Sequence, residues 1–213
     1  FFITYTSDAL SAFSNTRDYN PIYAGNISSK KITLMFNVYW GNEYLEGILD
    51  VLDENDITTT FFIGGTWAER YPELLQNIYD HDHEIANHGY YHKDHASISY
   101  QRNTEEISNT HNLIKQKLGV EMDLFAPPSG SFSNTTLEIA ESLGYKTIMW
   151  TRDTIDWRDQ NANLIYERAI KNANGGDLIL MHPTAKTLEA LPRIIETLKN
   201  NGFILTTVTD NLK

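Results

Sequence analysis

Two histidines, His88 and His92, stand three residues apart directly after a short apolar run, a spacing that could hold a divalent metal. On a turn-like loop, H-x-x-x-H puts both imidazoles on one side. The same pattern also suits two surface histidines in a polar loop. A third, His182, follows the apolar run Leu178–Met181 and precedes Pro183, which stops a strand and turns the chain outward. Its chemistry would be general acid catalysis, with Asp156 holding its tautomer and raising its pKa. The plainer alternative is a core-capping histidine bonded to backbone. Trp157, beside Asp156, reads as core or as the wall of a small apolar pocket. His95 and Asp94 read as rim groups.

These groups need elements to position them. Short apolar runs recur at Ile32–Phe36, Thr59–Ile63, Glu84–Asn87, Leu124–Ala126, Lys146–Trp150, Asp177–Met181 and Phe203–Thr207. They are too short for helices and suit strands buried on both faces. Between them lie segments of helical spacing, such as Leu45, Ile48, Leu49 and Leu52, or Trp67, Tyr71, Leu74, Leu75 and Ile78. Pro72 fits a first helical turn, and Gly119 sits where a helix would stop. Alternation over about seven units predicts a parallel sheet, as a barrel or a doubly wound sheet. In such folds the chemistry gathers at the carboxyl ends of the strands. There the sequence places Asn37 to Gly41, Asn87 to Asp94, Ala126 to Gly130, Trp150 to Trp157, and His182.

Composition bounds the partners. The 213 residues suffice for one domain with a sizeable core, and 41% hydrophobic with 21% charged residues excludes wholesale disorder. A net charge of -11 repels nucleic acid and anionic membranes. With no cysteine, disulfides and Cys-type zinc sites are excluded. No apolar run approaches the ~20 residues that span a bilayer, so no membrane contact by this domain is expected. Phe1-Phe2-Ile3 and the polar stretch to Asn20 read as a tail following a removed signal or anchor, or as an ordinary frayed terminus.

At this point the residues resemble the polysaccharide deacetylases of the NodB-homology type, carbohydrate esterase family four, over about residues 21–210. Thr60 to Gly65 and His83 to Gly89 are family-typical stretches. The resemblance implies a distorted (β/α) barrel of the NodB type, with residues 1–20 as tail and 21–213 as the domain. It implies His88 and His92 as metal ligands, His182 as the acid that protonates the leaving amine, and Asp156 as its tuner. Trp157 and Leu180 would line the acetyl-methyl pocket. Pro128, Ser129 and Tyr91 would contact substrate, with a backbone N–H near Ser129 as oxyanion donor. The implied partner is an N-acetylated cell-wall polysaccharide such as peptidoglycan. The implied setting is a bacterial exterior or envelope, with the chain a monomer.

Two motifs depart from the family. Its T-F-D-D-G carries the catalytic base and a metal-ligating aspartate; Asn37 and Val38 stand there in this chain. Its R-P-P-Y-G reads Ala126 to Gly130 here, so the arginine that partners the base is gone as well. The first motif instead resembles F-N-V-x-W-G of a sporulation-associated subgroup. An amide cannot take a proton at neutral pH, so Asn37 is not a base. Val38 cannot ligate, which leaves zinc binding weak or absent. Two readings follow: metal-dependent amide hydrolysis with a substitute carboxylate, for which Glu43 is the candidate, or glycan binding without cleavage, with Tyr39, Trp40, Tyr90 and Tyr91 stacking on sugar faces.

Overall fold

The computed structural model describes residues 19–213. The expected tail over residues 1–20 therefore lies, up to residue 18, outside the described residues. The strands are β1 (Lys31–Val38), β2 (Thr60–Ile63), β3 (Glu84–Asn87), β4 (Leu124–Phe125), β5 (Lys146–Thr147), β6 (Arg152–Asp153), β7 (Leu178–Met181) and β8 (Ile204–Leu205). The helices are α1 (Asn42–Asp53), α2 (Gly65–Arg70), α3 (Pro72–Asp80), α4 (Tyr100–Leu118), α5 (Asn134–Ser142), α6 (Ala162–Ile170), α7 (Ala185–Asn200) and α8 (Val208–Asn211).

The sheet runs in the order β5-β4-β3-β2-β1-β7-β6, with β8 pairing the first residues of β1. Every strand pairing is parallel. Of the two arrangements that the alternation left open, this is the barrel, in the distorted, half-closed α/β form that the resemblance implies. β6 was not foreseen, because it is a two-residue polar strand with no apolar run to mark it.

β1 is buried on both faces, and its side chains alternate between two cores. Ile32, Leu34, Phe36 and Val38 pack outward against the helix layer, with Leu49, Ile107, Leu191 and Ile195. Met35 faces inward, with Phe62, Ala86, Leu124, Ala126, Ile148 and Leu180. α8 sits at the amino ends of the strands: the Val208 N–H donates to Thr60 Oγ1 (2.8 Å) and Asn211 Nδ2 donates to the Asp177 carbonyl (3.1 Å). The opposite end is left for the cleft.

Trp67 to Ile78 reads as one helix in sequence but folds as two, α2 and α3. The cause is Pro72, whose ring drives the preceding residue out of the helical region; Tyr71 has φ -129 and ψ 58. Gly119 ends α4 in the left-handed conformation at φ 73, as its position predicted.

The stacked Phe36 and Phe61 rings, centroids 5.0 Å apart and both fully buried, tie β1 to β2 under the helices. Phe61→Ala is expected to lower unfolding free energy by about 3–5 kcal/mol, since the surrounding core cannot collapse into the space. Urea denaturation of the two proteins measures it.

Candidate functional site

The cleft is built where β1, β3, β4, β6 and β7 end. Past Asn37 the chain passes Tyr39 and Trp40 and turns at Gly41, which has φ +82. A Cβ there would lie 1.9 Å from the Pro183 carbonyl oxygen, so only glycine lets the β1 loop slide under the His182-Pro183 segment. That approach stacks Trp40 on the His182 ring, nearly parallel at 4° and 5.9 Å between centroids.

After β3, His88 is fully buried, and its Nδ1 is 2.8 Å from the Ala126 carbonyl. That bond places the proton on Nδ1 and leaves the Nε2 lone pair free. His92 sits 5.2 Å from His88 between ring centroids and stacks on Tyr39 at 4.5 Å. Burial, with the neighbouring imidazole adding to it, holds the His88 pKa well below 6.5; burial lowers His92 as well. Both rings are neutral near pH 7. The loop between them hangs on one side chain: Glu106 of α4 accepts the Tyr90 and Tyr91 N–H groups at 2.8 and 2.6 Å, and is itself held by Arg102 at 2.9 Å.

After β6, Asp156 is fully buried. Its carboxylate accepts three hydrogen bonds: from His182 Nδ1 (2.8 Å), the His182 backbone N–H (2.6 Å) and Thr187 Oγ1 (2.6 Å). His182 is thereby fixed with Nε2 as its uncommitted nitrogen. Three residues around this rim carry positive φ without being Gly, Asn or Asp: His92 (54°), Ser129 (56°) and Ile155 (54°). Each belongs to a loop that delivers a site residue, the pattern of local strain held in place by surrounding structure.

The resulting cleft encloses about 400 Å3. Asn37, His88, His92, Ser129, Trp157, Leu180 and His182 all line it, with Asp156 beneath His182. Sequence reasoning thus brought most of its candidates to one place. Tyr39 and Trp40, expected as sugar-stacking rings, line it too. Trp150 and Asp153 also line it; the former was expected only at a strand end, the latter as the first residue of the family-like run Asp153 to Trp157.

Other expectations need correction. Tyr91 is not in the cleft: it lies on the outer side of the loop, with Arg102 over its ring at 4.9 Å, beside Asn109 and Asn112 of α4. Tyr90 shares that outer position and donates to Glu69. Pro128 is buried and supports the turn rather than lining the cleft. Glu43 is an exposed first-turn residue of α1. Val38, expected at a ligand position, packs in the helix-facing core. The cause is alternation: β1 stays extended through Val38, which pairs with Ile63, so Asn37 and Val38 face opposite sides. Glu106 was missed. Its signal was a carboxylate inside the buried stripe of α4, between Asn103 and Thr110.

The divalent metal implied by the resemblance does not fit the donors present. The cleft is lined by three imidazoles, His88, His92 and His182, and one carboxylate, Asp153, yet among the described residues no three His, Cys, Asp or Glu side chains gather to hold an ion. A catalytic zinc ordinarily has three protein ligands.

Known proteins bear likeness to this chain. The family model for Polysaccharide deacetylase matches residues 24–148. YlxY of Bacillus subtilis, an uncharacterized protein, is 40% identical over 190 residues; the match covers 89% of this chain but only 60% of YlxY. The peptidoglycan-N-acetylmuramic acid deacetylase PdaA of Bacillus subtilis is 30% identical over 197 residues, 90% of this chain and 75% of PdaA. Among solved structures, a Bacillus anthracis protein described as a CE4 family pseudoenzyme superposes with a TM-score of 0.90 at 36% identity, covering 92% of this chain and 70% of that one. A mutant of it, described as having restored enzymatic activity, also gives a TM-score of 0.90, at 34% identity over 92% of this chain and 72% of that one.

Four histidines, His83, His88, His92 and His95, have pKa values lowered chiefly by burial, His83 to about 4. The unfolded chain takes up protons at these positions near pH 6.5, while the folded one resists. Stability is therefore expected to be full above pH 6.5 and to fall as pH drops toward about 4. Each such histidine steepens the fall by roughly 1.4 kcal/mol per pH unit. Urea denaturation at pH 7.5, 6 and 5 checks this, and His83→Gln should flatten the slope.

Proposed function

The chain belongs to the polysaccharide deacetylase family, and from that premise we propose that its cleft binds N-acetylated cell-wall glycan without hydrolysing the acetamide. One observation carries this reading: the position where the family keeps its proton acceptor is a neutral amide, Asn37, and no carboxylate joins the His88–His92 pair. An amide does not accept a proton at neutral pH. Removing a positioned base typically costs ~10²–10⁴ in rate.

What remains suits a saccharide. Three of the protein's four tryptophans, Trp40, Trp150 and Trp157, line this one cleft together with Tyr39. Such a concentration of rings belongs to ligand stacking rather than to core packing, since Trp40 and Trp157 are 42% and 53% exposed. Leu180 and Trp157 are assigned to the acetyl methyl. Ser129, in its left-handed turn at the cleft, is assigned the backbone donor to the acetyl oxygen. The ligand class is an N-acetylhexosamine polymer, the class on which PdaA and other peptidoglycan deacetylases among the relatives act. The setting is then the bacterial envelope, outside the cytoplasm, with this domain acting as a monomer.

The intact His182–Asp156 pair favours a second reading, a slow hydrolase of the same amide. In it His182, its Nδ1–H held by Asp156, protonates the departing nitrogen from Nε2. Water activation would then fall to groups other than Asn37.

Purified protein is expected to bind an N-acetylglucosamine tetramer saturably in calorimetry and to release no acetate from it or from peptidoglycan. Acetate release that scales with protein and disappears in His182→Ala would replace the binding reading with the hydrolytic one. Asn37→Asp is the natural start for regaining activity, because among Asn37, Val38 and Ala126 only Asn37 lines the cleft.

A further inference from the structure

We infer that Asn37 reads the acetamido group itself, so that the cleft selects N-acetylated sugar over the free amine. This rests on the glycan-binding reading above and adds a specificity to it. Asn37 is only 4% exposed, at the inward-facing end of β1, yet it borders the cleft. Among the described residues its Oδ1 is buried and accepts no hydrogen bond. A buried acceptor left unpaired is destabilising, and native structures rarely tolerate one without a reason.

Two neighbouring histidines of the cleft are each committed through Nδ1, with Nε2 left open. His88 Nδ1 is bound to the Ala126 carbonyl, and His182 Nδ1 to Asp156. Asp153, the carboxylate that borders the cleft, accepts the Ile155 N–H at 2.8 Å. Asn37 brings to the cleft wall a carboxamide whose buried Oδ1 has no partner, beside the N–H donors of the same group. A primary amide offers both a carbonyl and N–H groups, and a secondary acetamide offers the complementary pair. The methyl of the same group would rest on Leu180, which is 3% exposed at the cleft wall.

A de-N-acetylated sugar presents an ammonium instead. It has donors but no acceptor, so the N–H groups of Asn37 lose their partner. Its charge would be drawn out of water toward a neutral amide, which is unfavourable without an anionic counterpart. A carboxylate at position 37 would invert that preference, since it accepts from a cation and repels nothing on it. The exchange of a carboxylate for an amide thus converts a proton-accepting position into one that distinguishes acetylated from deacetylated glycan.

The test compares binding of the N-acetylglucosamine tetramer and its fully de-N-acetylated counterpart, by calorimetry at pH 7 and one ionic strength. The wild type should prefer the acetylated tetramer by about tenfold or more, the worth of one well-made buried hydrogen-bonded contact. Asn37→Leu should still bind both tetramers but lose the preference, and Asn37→Asp should reverse it. Trp40→Ala should weaken both tetramers alike, since a ring stacked on a sugar face does not sense the acetyl group. If Asn37→Leu does not fold, judged by circular dichroism, Asn37→Ser takes its place. Equal wild-type affinity for the two tetramers, or an unchanged preference in a folded Asn37→Leu or Asn37→Ser, overturns the inference and leaves glycan binding standing. Binding of neither tetramer defeats the glycan-binding reading itself.

Discussion

The structure depends on one central strand that has no exposed face. β1 pairs with β2, β7 and β8 and alternates strictly between an outer core under the helices and an inner one inside the curled sheet. With period-two geometry, a side chain on that strand has one of two destinations and no compromise between them. Asn37 goes inward and Val38 outward. The motif at the end of β1 therefore contributes one polar group to the cleft, and the apolar valine is at home where it lies. A polar cleft can open only where inward alternation runs past the last buried layer, and the strand ends provide that place.

Around that rim the loops are held by a few buried polar groups. Glu106 ties the Tyr90-Tyr91 backbone to α4, and Asp156 ties the β7 loop to α7 through Thr187. Both carboxylates accept more than one backbone or side-chain donor, the condition under which a buried charge stabilises rather than disrupts. Left-handed backbone at His92, Ser129 and Ile155 persists because these anchors over-determine it. The imidazoles and aromatic rings of the cleft are consequently preset, and a ligand has little left to order.

Much of this was legible in the sequence, for identifiable reasons. Strand runs such as Asp177–Met181 stood out because a parallel strand buried on both faces, here Leu178–Met181, is uninterrupted and apolar. The convergence of His88, His92 and His182 followed from placing each at a strand's carboxyl end. What escaped were features set by direction rather than by residue type. Tyr91 sits in the right loop but on its outer side, and Glu43 belongs to the right rim but points to solvent. Val38 occupies a motif position whose side chain the strand turns away. β6 is too short to carry a pattern, and Glu106 looks like any helix glutamate until the buried face of α4 is known. Spacing identifies the loop; only the backbone path decides which side of it a residue serves.

The two halves of the site differ in how far the fold needs them. Asp156 accepts three hydrogen bonds, one of them from the His182 backbone, so it fastens β7 to α7 whether or not His182 ever moves a proton. Its removal would strand buried donors and loosen the sheet edge, a cost that falls on folding and not only on chemistry. Asn37 supports nothing of the kind: its side-chain oxygen accepts no bond from the protein, and neighbouring packing is complete without one. A proton acceptor at that position is therefore free to change with little consequence for the fold, whereas the acid pair is not. An intact His182–Asp156 pair beside an altered Asn37 is what a fold stripped of hydrolytic demand would keep. The persistence of the pair therefore suits the binding reading as well as the hydrolytic one.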